Sequence, residues 1–85
     1  MKHAGGAALD ELEPLLTQLR SLPRLKEMKR GTFYVGSKAF LHFHEDPAGP
    51  FADLKPSLDA GYERFRVRTA VERKRLVALA RRALA

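Results

Sequence analysis

The eight residues from Phe40 to Pro47, FLHFHEDP, gather the side chains most able to do chemistry in this chain. His42 and His44 alternate with Leu41 and Phe43, and Glu45 and Asp46 follow at once. Two imidazoles at i and i+2 of a strand project to the same side about 6.6–7 Å apart, close enough to share one metal ion. Such an ion needs at least a third protein ligand. Glu45 has the opposite parity, Asp46 begins a turn, and His3 stands on a frayed terminus. Asp53 on the following strand is then the remaining candidate. The metal reading is therefore a divalent ion on His42, His44 and Asp53, with no other cofactor expected. The plainer alternative leaves both histidines on the wet face of a half-buried strand.

Other catalytic constellations are weaker. The chain has no cysteine, hence no thiolate nucleophile, no disulfide and no zinc–thiolate site. Ser21, Ser37 and Ser57 fall in turns without a G-x-S-x-G setting, and no glycine loop could cradle a phosphate. A small hydrolase-like site with His42 as base and Asp53 as its partner is geometrically open but lacks any distinguishing pattern. A chain of 85 residues also has little material for an enclosed pocket. The expectation is a non-enzymatic domain.

The elements that position these residues follow from periodicity. Residues 1–8, MKHAGGAA, read as a flexible start, and residues 9–85 as one domain. Leu12, Leu15, Leu16, Leu19 and Leu22 form one apolar helical stripe, with Asp10 as N-cap and Pro23 as terminator. Pro14 is tolerable only close to a helix start. Strands are predicted over 24–30, 32–35, 39–45, 51–55 and 62–68. DPAGP (46–50) reads as a turn, and 56–61 as a loop closed by Gly61. Thr69 and Glu72 have capping-box spacing at the start of a final helix. On that helix Leu76, Val77, Leu79, Ala80, Ala83 and Leu84 share one arc, opposite Lys74, Arg75, Arg81 and Arg82. The order predicts an α+β fold: a two-layer sandwich with an antiparallel sheet of four to five strands and the N- and C-terminal helices packed on one face.

Strand parity then divides the side chains. Ala39, Leu41 and Phe43 are uniformly apolar and should face the helices, with Ala52, Leu54, Phe65 and Val67. The opposite face would carry Phe40, His42, His44, Phe51, Asp53, Lys55, Tyr62, Arg64 and Arg66. The hairpin near Gly36 has two registers. A two-residue loop, Gly36–Ser37, turns Tyr34 inward, whereas a three-residue loop, Gly36 to Lys38, turns Phe33 and Val35 inward. The longer loop buries more apolar surface and is the expectation.

Charge is unevenly spread. Residues 1–60 carry eight Lys/Arg and eight Asp/Glu, so all of the net +6 lies in residues 61–85. This asymmetry raises the chance of a polyanionic partner, while the plainer reading, a solvated helix face in an arginine-rich chain, stands ahead of it. Aromatics interleaved with bases on an open sheet can stack nucleobases while cations hold phosphates, but no RNP-type motif is present. A sheet-to-sheet homodimer is the competing use of the same surface. The binding face predicted in either case is Phe40, His42, His44, Phe51, Lys55, Tyr62, Arg64 and Arg66. No apolar run suits a membrane span or a signal peptide, and cysteine-free usage is compatible with a reducing compartment, so a cytoplasmic location is expected. Asn, Ile, Trp and Cys are absent while Ala, Leu and Arg abound, as in a GC-rich bacterial coding sequence.

The run GSKAFLHFHEDP resembles the luciferase-like domains, a small family whose members often show a glycine hairpin followed by a Phe-x-His-x-His strand, here Phe40, His42 and His44. The likeness spans about residues 30–84, though its specific part is some ten residues. VGSKAF is similar to the hairpin of the MmcQ/YjbR-like proteins, whose α/β fold is sometimes proposed to bind DNA. Both resemblances imply a fold of this type and neither implies a particular reaction. The chain is shorter between its fourth strand and final helix than either family implies.

Overall fold

Leu15, Leu16 and Leu19 of the leucine stripe lie in one short helix, Glu13–Arg20, and a separate short helix, Gly6–Glu11, precedes it. The structure, a computed structural model, describes residues 2–85, and Met1, part of the expected flexible start, lies outside them. The elements in chain order are β1 (Lys2–His3), α1 (Gly6–Glu11), α2 (Glu13–Arg20), β2 (Leu25–Lys29), β3 (Thr32–Val35), β4 (Lys38–Asp46), β5 (Gly49–Leu54), β6 (Glu63–Arg66) and α3 (Ala70–Leu84). The helix breaks at Leu12 (φ −88°, ψ 0°) and resumes with Pro14 in its first turn. Proline supplies no N–H and its ring would collide with the carbonyl four residues back, so it cannot lie inside a continuous helix. Asp10, expected as an N-cap, sits inside α1, where its carboxylate accepts from Arg30 Nη1 at 2.7 Å. The cap position belongs to Gly5, with no side-chain hydrogen bond.

The sheet is antiparallel throughout, in the order β2-β3-β4-β5-β6, with β1 paired to β4. Strand β5 covers one edge of β4 from Leu41 to Asp46, and β3 covers the other only from Lys38 to His42. The two residues of β1 fill the edge that β3 leaves open, pairing Lys2 with Glu45 and His3 with His44. Residues 2–8, read from the sequence as a frayed start, thus carry a strand and the beginning of a helix. The DPAGP segment is a tighter turn than expected. Asp46 pairs with Gly49 and Glu45 with Pro50, leaving Pro47–Ala48 as a two-residue loop in which Asp46 Oδ2 accepts from the Ala48 amide at 3.0 Å.

All three helices lie on one side of the sheet. Leu12, Leu15, Leu16 and Leu19 pack with Leu41, Phe43, Ala52 and Leu54 of the sheet, with Val67 just after β6, and with Leu76, Val77, Ala80 and Leu84 of α3. Helix α3 begins with the expected capping box: Glu72 N–H donates to Thr69 Oγ1 at 3.1 Å, and Glu72 Oε1 accepts from the Thr69 amide at 3.0 Å. Among the described residues, no helix is long and apolar enough to cross a membrane.

One position departs from strand parity. The β3–β4 hairpin uses the short loop, with Val35 paired to Lys38, not the longer loop expected from burial. Continued without interruption, that register would place Phe33 opposite Phe40 on the helix-averted face. Instead, Tyr34 pairs with Ala39 and Phe33 with Leu41, leaving Phe40 as an extra, unpaired residue. This β-bulge turns both Phe33 and Phe40 into the core, each about 1% exposed, and puts Tyr34, Ala39 and Thr32 on the other side. Burying one such aromatic is worth roughly 1.5–3 kcal/mol. Two of them outweigh the roughly 1 kcal/mol of one disrupted ladder hydrogen bond. Phe40 is therefore a core residue and not part of an open binding face.

Candidate functional site: a histidine cluster on the open sheet face

The face averted from the helices is organised in two rows across the strands. Thr32, His42, Asp53 and Arg64 align on β3, β4, β5 and β6. Beside them, His3, His44, Phe51 and Arg66 align on β1, β4, β5 and β6. Tyr62, just before β6, closes the surface: its ring meets His42 edge-on at 4.7 Å between centroids. Lys55 Nζ lies 5.3 Å from the same tyrosine ring. Since parity selects these side chains and register aligns them, the site is a direct product of antiparallel pairing around β4.

At its centre three imidazoles converge. His42 and His44 are 4.8 Å apart between ring centroids, His3 and His44 4.6 Å, and His3 and His42 5.6 Å. One ring nitrogen from each lies within 4.8 Å of the other two. His44 is the best anchored: its Nε2 lies 3.1 Å from Asp53 Oδ2 and 2.9 Å from His42 Nδ1. The Asp53 carboxylate 3.1 Å away repels a ring lone pair and so favours the proton on His44 Nε2, whose hydrogen-bond acceptor is His42 Nδ1. His44 Nδ1 then carries a lone pair, and this atom is buried with no hydrogen-bond partner among the described residues.

Asp53 is buried, at 7% exposure, and is held from the other side by Arg64. Arg64 Nε donates to Oδ1 at 2.8 Å and Nη2 to Oδ2 at 2.9 Å, a bidentate pair. That hydrogen bonding holds the Asp53 carboxyl below its usual range in spite of burial, and keeps the Arg64 guanidinium above its own. Burial pushes His42 below its ordinary value, and the neighbouring His44 adds to the shift. With the proton on His44 Nε2, the lone pair of His42 Nδ1 accepts in their 2.9 Å contact. Burial also raises the Tyr62 hydroxyl.

Of the residues predicted from the sequence, His42, His44, Asp53, Phe51, Tyr62, Lys55 and Arg64 come together on this face. Phe40 does not. Arg66 lies at the edge strand, and its charge also reaches Glu72 beneath the sheet rim. Asp53 was read as a metal ligand, but both of its oxygens are engaged by Arg64 and His44. The residue that sequence reasoning set aside is His3. Two residues of strand have no periodicity to detect, and the sole hint was charge: Lys2 lies opposite Glu45, 3.8 Å away.

Comparison with protein-family models, with curated proteins and with solved structures finds no match. The geometry of this face is therefore the ground on which function has to be read.

Proposed function

We propose that the chain is a binding module whose working surface is the open sheet face and whose ligand is a polyanion of the single-stranded nucleic-acid kind. One observation carries the reading: Tyr62, 40% exposed, stands on a face that no helix covers, with the Lys55 ammonium beside its ring. An exposed aromatic can stack a base, at roughly 1–3 kcal/mol per base, while adjacent cations contact phosphates. Lys26, facing the same way on β2 through its pairing with Tyr34, and Arg66 on β6 extend the positive rim. Half-buried Phe51 beside Arg66 offers a second, smaller stacking surface.

A second copy of the chain is the competing occupant of this face. Two-fold pairing would set the same cations against their own copies, and like charges across an interface oppose association. A polyanion meets no such penalty. Membership of the luciferase-like domains would suit the same surface, because the strand quoted for that resemblance supplies both His42 and His44.

The test is anisotropy of a labelled oligothymidylate titrated with the protein, in chelator, over a series of salt concentrations. Affinity should fall linearly with salt on logarithmic axes. Tyr62→Ala and Lys55→Ala should weaken binding more than Arg81→Ala combined with Arg82→Ala on the outer face of α3. If only the α3 variants weaken it, the attraction is plain charge on the helix and the sheet-face reading fails.

A further inference from the structure

We infer that His3, His42 and His44 form a binding site for a single transition-metal ion of the zinc class, with Asp53 as the residue that positions His44. The inference is independent of the polyanion reading, and neither requires the other.

Three observations converge on it. The three imidazoles come from two adjacent strands, and ring nitrogens from each lie within 4.8 Å of one another. Tetrahedral coordination at a metal–nitrogen distance near 2.05 Å sets ligand nitrogens about 3.4 Å apart. The cluster therefore has to contract by little more than an ångström, within reach of side-chain rotation at exposed His3. Next, His44 Nδ1 is a buried lone pair with no partner. A buried acceptor left unsatisfied costs about 1–3 kcal/mol, a cost that coordination through Nδ1 would remove.

The third observation is the environment of the opposite nitrogen. A metal-binding histidine usually donates its other ring N–H to a carboxylate, which fixes the tautomer and raises ligand basicity. His44 Nε2 faces Asp53 Oδ2 at 3.1 Å, and Arg64 locks that carboxylate in place through two hydrogen bonds. Asp53 thus supports the site from behind, which explains why neither of its oxygens is free to ligate.

The donor set also selects the ion. Imidazole nitrogen suits Zn²⁺, Co²⁺, Ni²⁺ and Cu²⁺, whereas Mg²⁺ and Ca²⁺ demand oxygen ligands. Three protein ligands leave one tetrahedral position unfilled, and with His3 exposed that position opens to solvent. Water or an anionic ligand would occupy it, as in sites that keep one exchangeable position.

A metal bridging His3 to β4 would also fasten β1. Among the described residues that strand has two paired positions, assisted by the Ala4 amide on Phe43 O at 3.1 Å and the Gly5 amide on Glu45 Oε2 at 2.6 Å.

The experiment uses the untagged full chain, stripped by chelator and titrated calorimetrically with Zn²⁺, with Co²⁺ absorption as a reporter of coordination geometry. The expected result is one ion per chain, a higher melting temperature with metal, tetrahedral-type Co²⁺ bands, and no comparable binding of Mg²⁺. His3→Ala, His42→Ala and His44→Ala should each lose at least about tenfold in Zn²⁺ affinity, and Asp53→Asn about 10–100-fold at unchanged stoichiometry. His3 is exposed on a two-residue strand, so His3→Ala folds even if a change at His44 or Asp53 does not. Zinc affinity unchanged in His3→Ala, or no binding at millimolar Zn²⁺, overturns the site. Loss of zinc binding with oligothymidylate binding in chelator intact separates this inference from the proposed function.

Discussion

On the helix-facing side of the sheet, Phe33, Phe40, Leu41, Phe43, Ala52 and Leu54 are all at 2% exposure or less and carry no polar side-chain atom. On the other side, the sheet presents three histidines, two of them on β4 and one on β1, and a buried carboxylate on β5 bound to arginine, with a tyrosine left 40% exposed just before β6. Every second residue of β4 and β5 thus belongs to a different physical regime. The first face is held by area removed from water, which is non-directional. The second is held by paired directional contacts, and it depends on which atom faces which. A bulge at Phe40 can therefore be absorbed by the core, whereas the alignment His42–Asp53–Arg64 lies beyond the bulge, where the pairing is regular.

The comparison can be broken most severely from the core. Leu41→Ala and Phe43→Ala should each cost about 2–5 kcal/mol in denaturant-induced unfolding, as truncations of fully buried side chains do. Phe40→Ala should fall in the same range. A cost below about 1 kcal/mol would return Phe40 to the open face and remove the bulge. His42→Ala should be distinctly milder than Phe43→Ala, since a half-buried imidazole gives up less packing.

Asp53→Ala sharpens the contrast from the other side. It removes the two hydrogen bonds from Arg64 and the carboxylate beside His44 Nε2, which keeps His42 Nδ1 as its partner. The expected loss is about 1–3 kcal/mol, the range for hydrogen bonds to a charged group. Arg64→Ala should cost more than an ordinary surface change, as it strands a buried carboxylate. If Asp53→Ala is neutral in chemical unfolding, the open face is merely a solvated surface.

A smaller effect is expected in acid, and it distinguishes this buried pair from exposed ones. Glu13, on α2, is held down to about 2 by hydrogen bonds from Arg20 and Arg30, in a network that also joins Arg20 to Glu27 of β2 at 2.6 Å. A carboxylate lowered on folding contributes stability that is complete above its ordinary value of 4.5 and lost as pH falls through about 2. Melting temperature should therefore decline between about pH 4.5 and 2. Asp53, also lowered, acts in the same direction. Salt should screen away the exposed Glu13 contribution while sparing much of the Asp53 one. A decline confined to pH above 5 would contradict both.

The smallest effect belongs to the basic stripe of α3. Arg81→Ala with Arg82→Ala should change stability by no more than about 0.5 kcal/mol, because neither takes part in any ion pair among the described residues. A larger loss would mean that this face packs against something in the folded chain.

Much of this molecule was legible in its residues. The alternation in 39–45 assigns Leu41 and Phe43 to one face and His42 and His44 to the other, because a strand has a period of two and apolar side chains leave water together. Thr69 and Glu72 mark the start of α3, because a capping box is made by residues three apart and needs nothing from the rest of the chain. Pro14 announces a helix start close to itself by the same kind of local sterics. What tertiary structure alone decided was register and reach. The bulge at Phe40 arises because burying both Phe33 and Phe40 outweighs one lost ladder bond, a balance that depends on the helices above the sheet. His3 joins the cluster because β3 ends before β4 does, leaving an unpaired edge that only the chain's beginning fills. Local pattern sets which way most side chains point, whereas neighbours across the sheet depend on pairings between residues from about ten positions apart, as at His42 and Asp53, to about forty, as at His3 and His44.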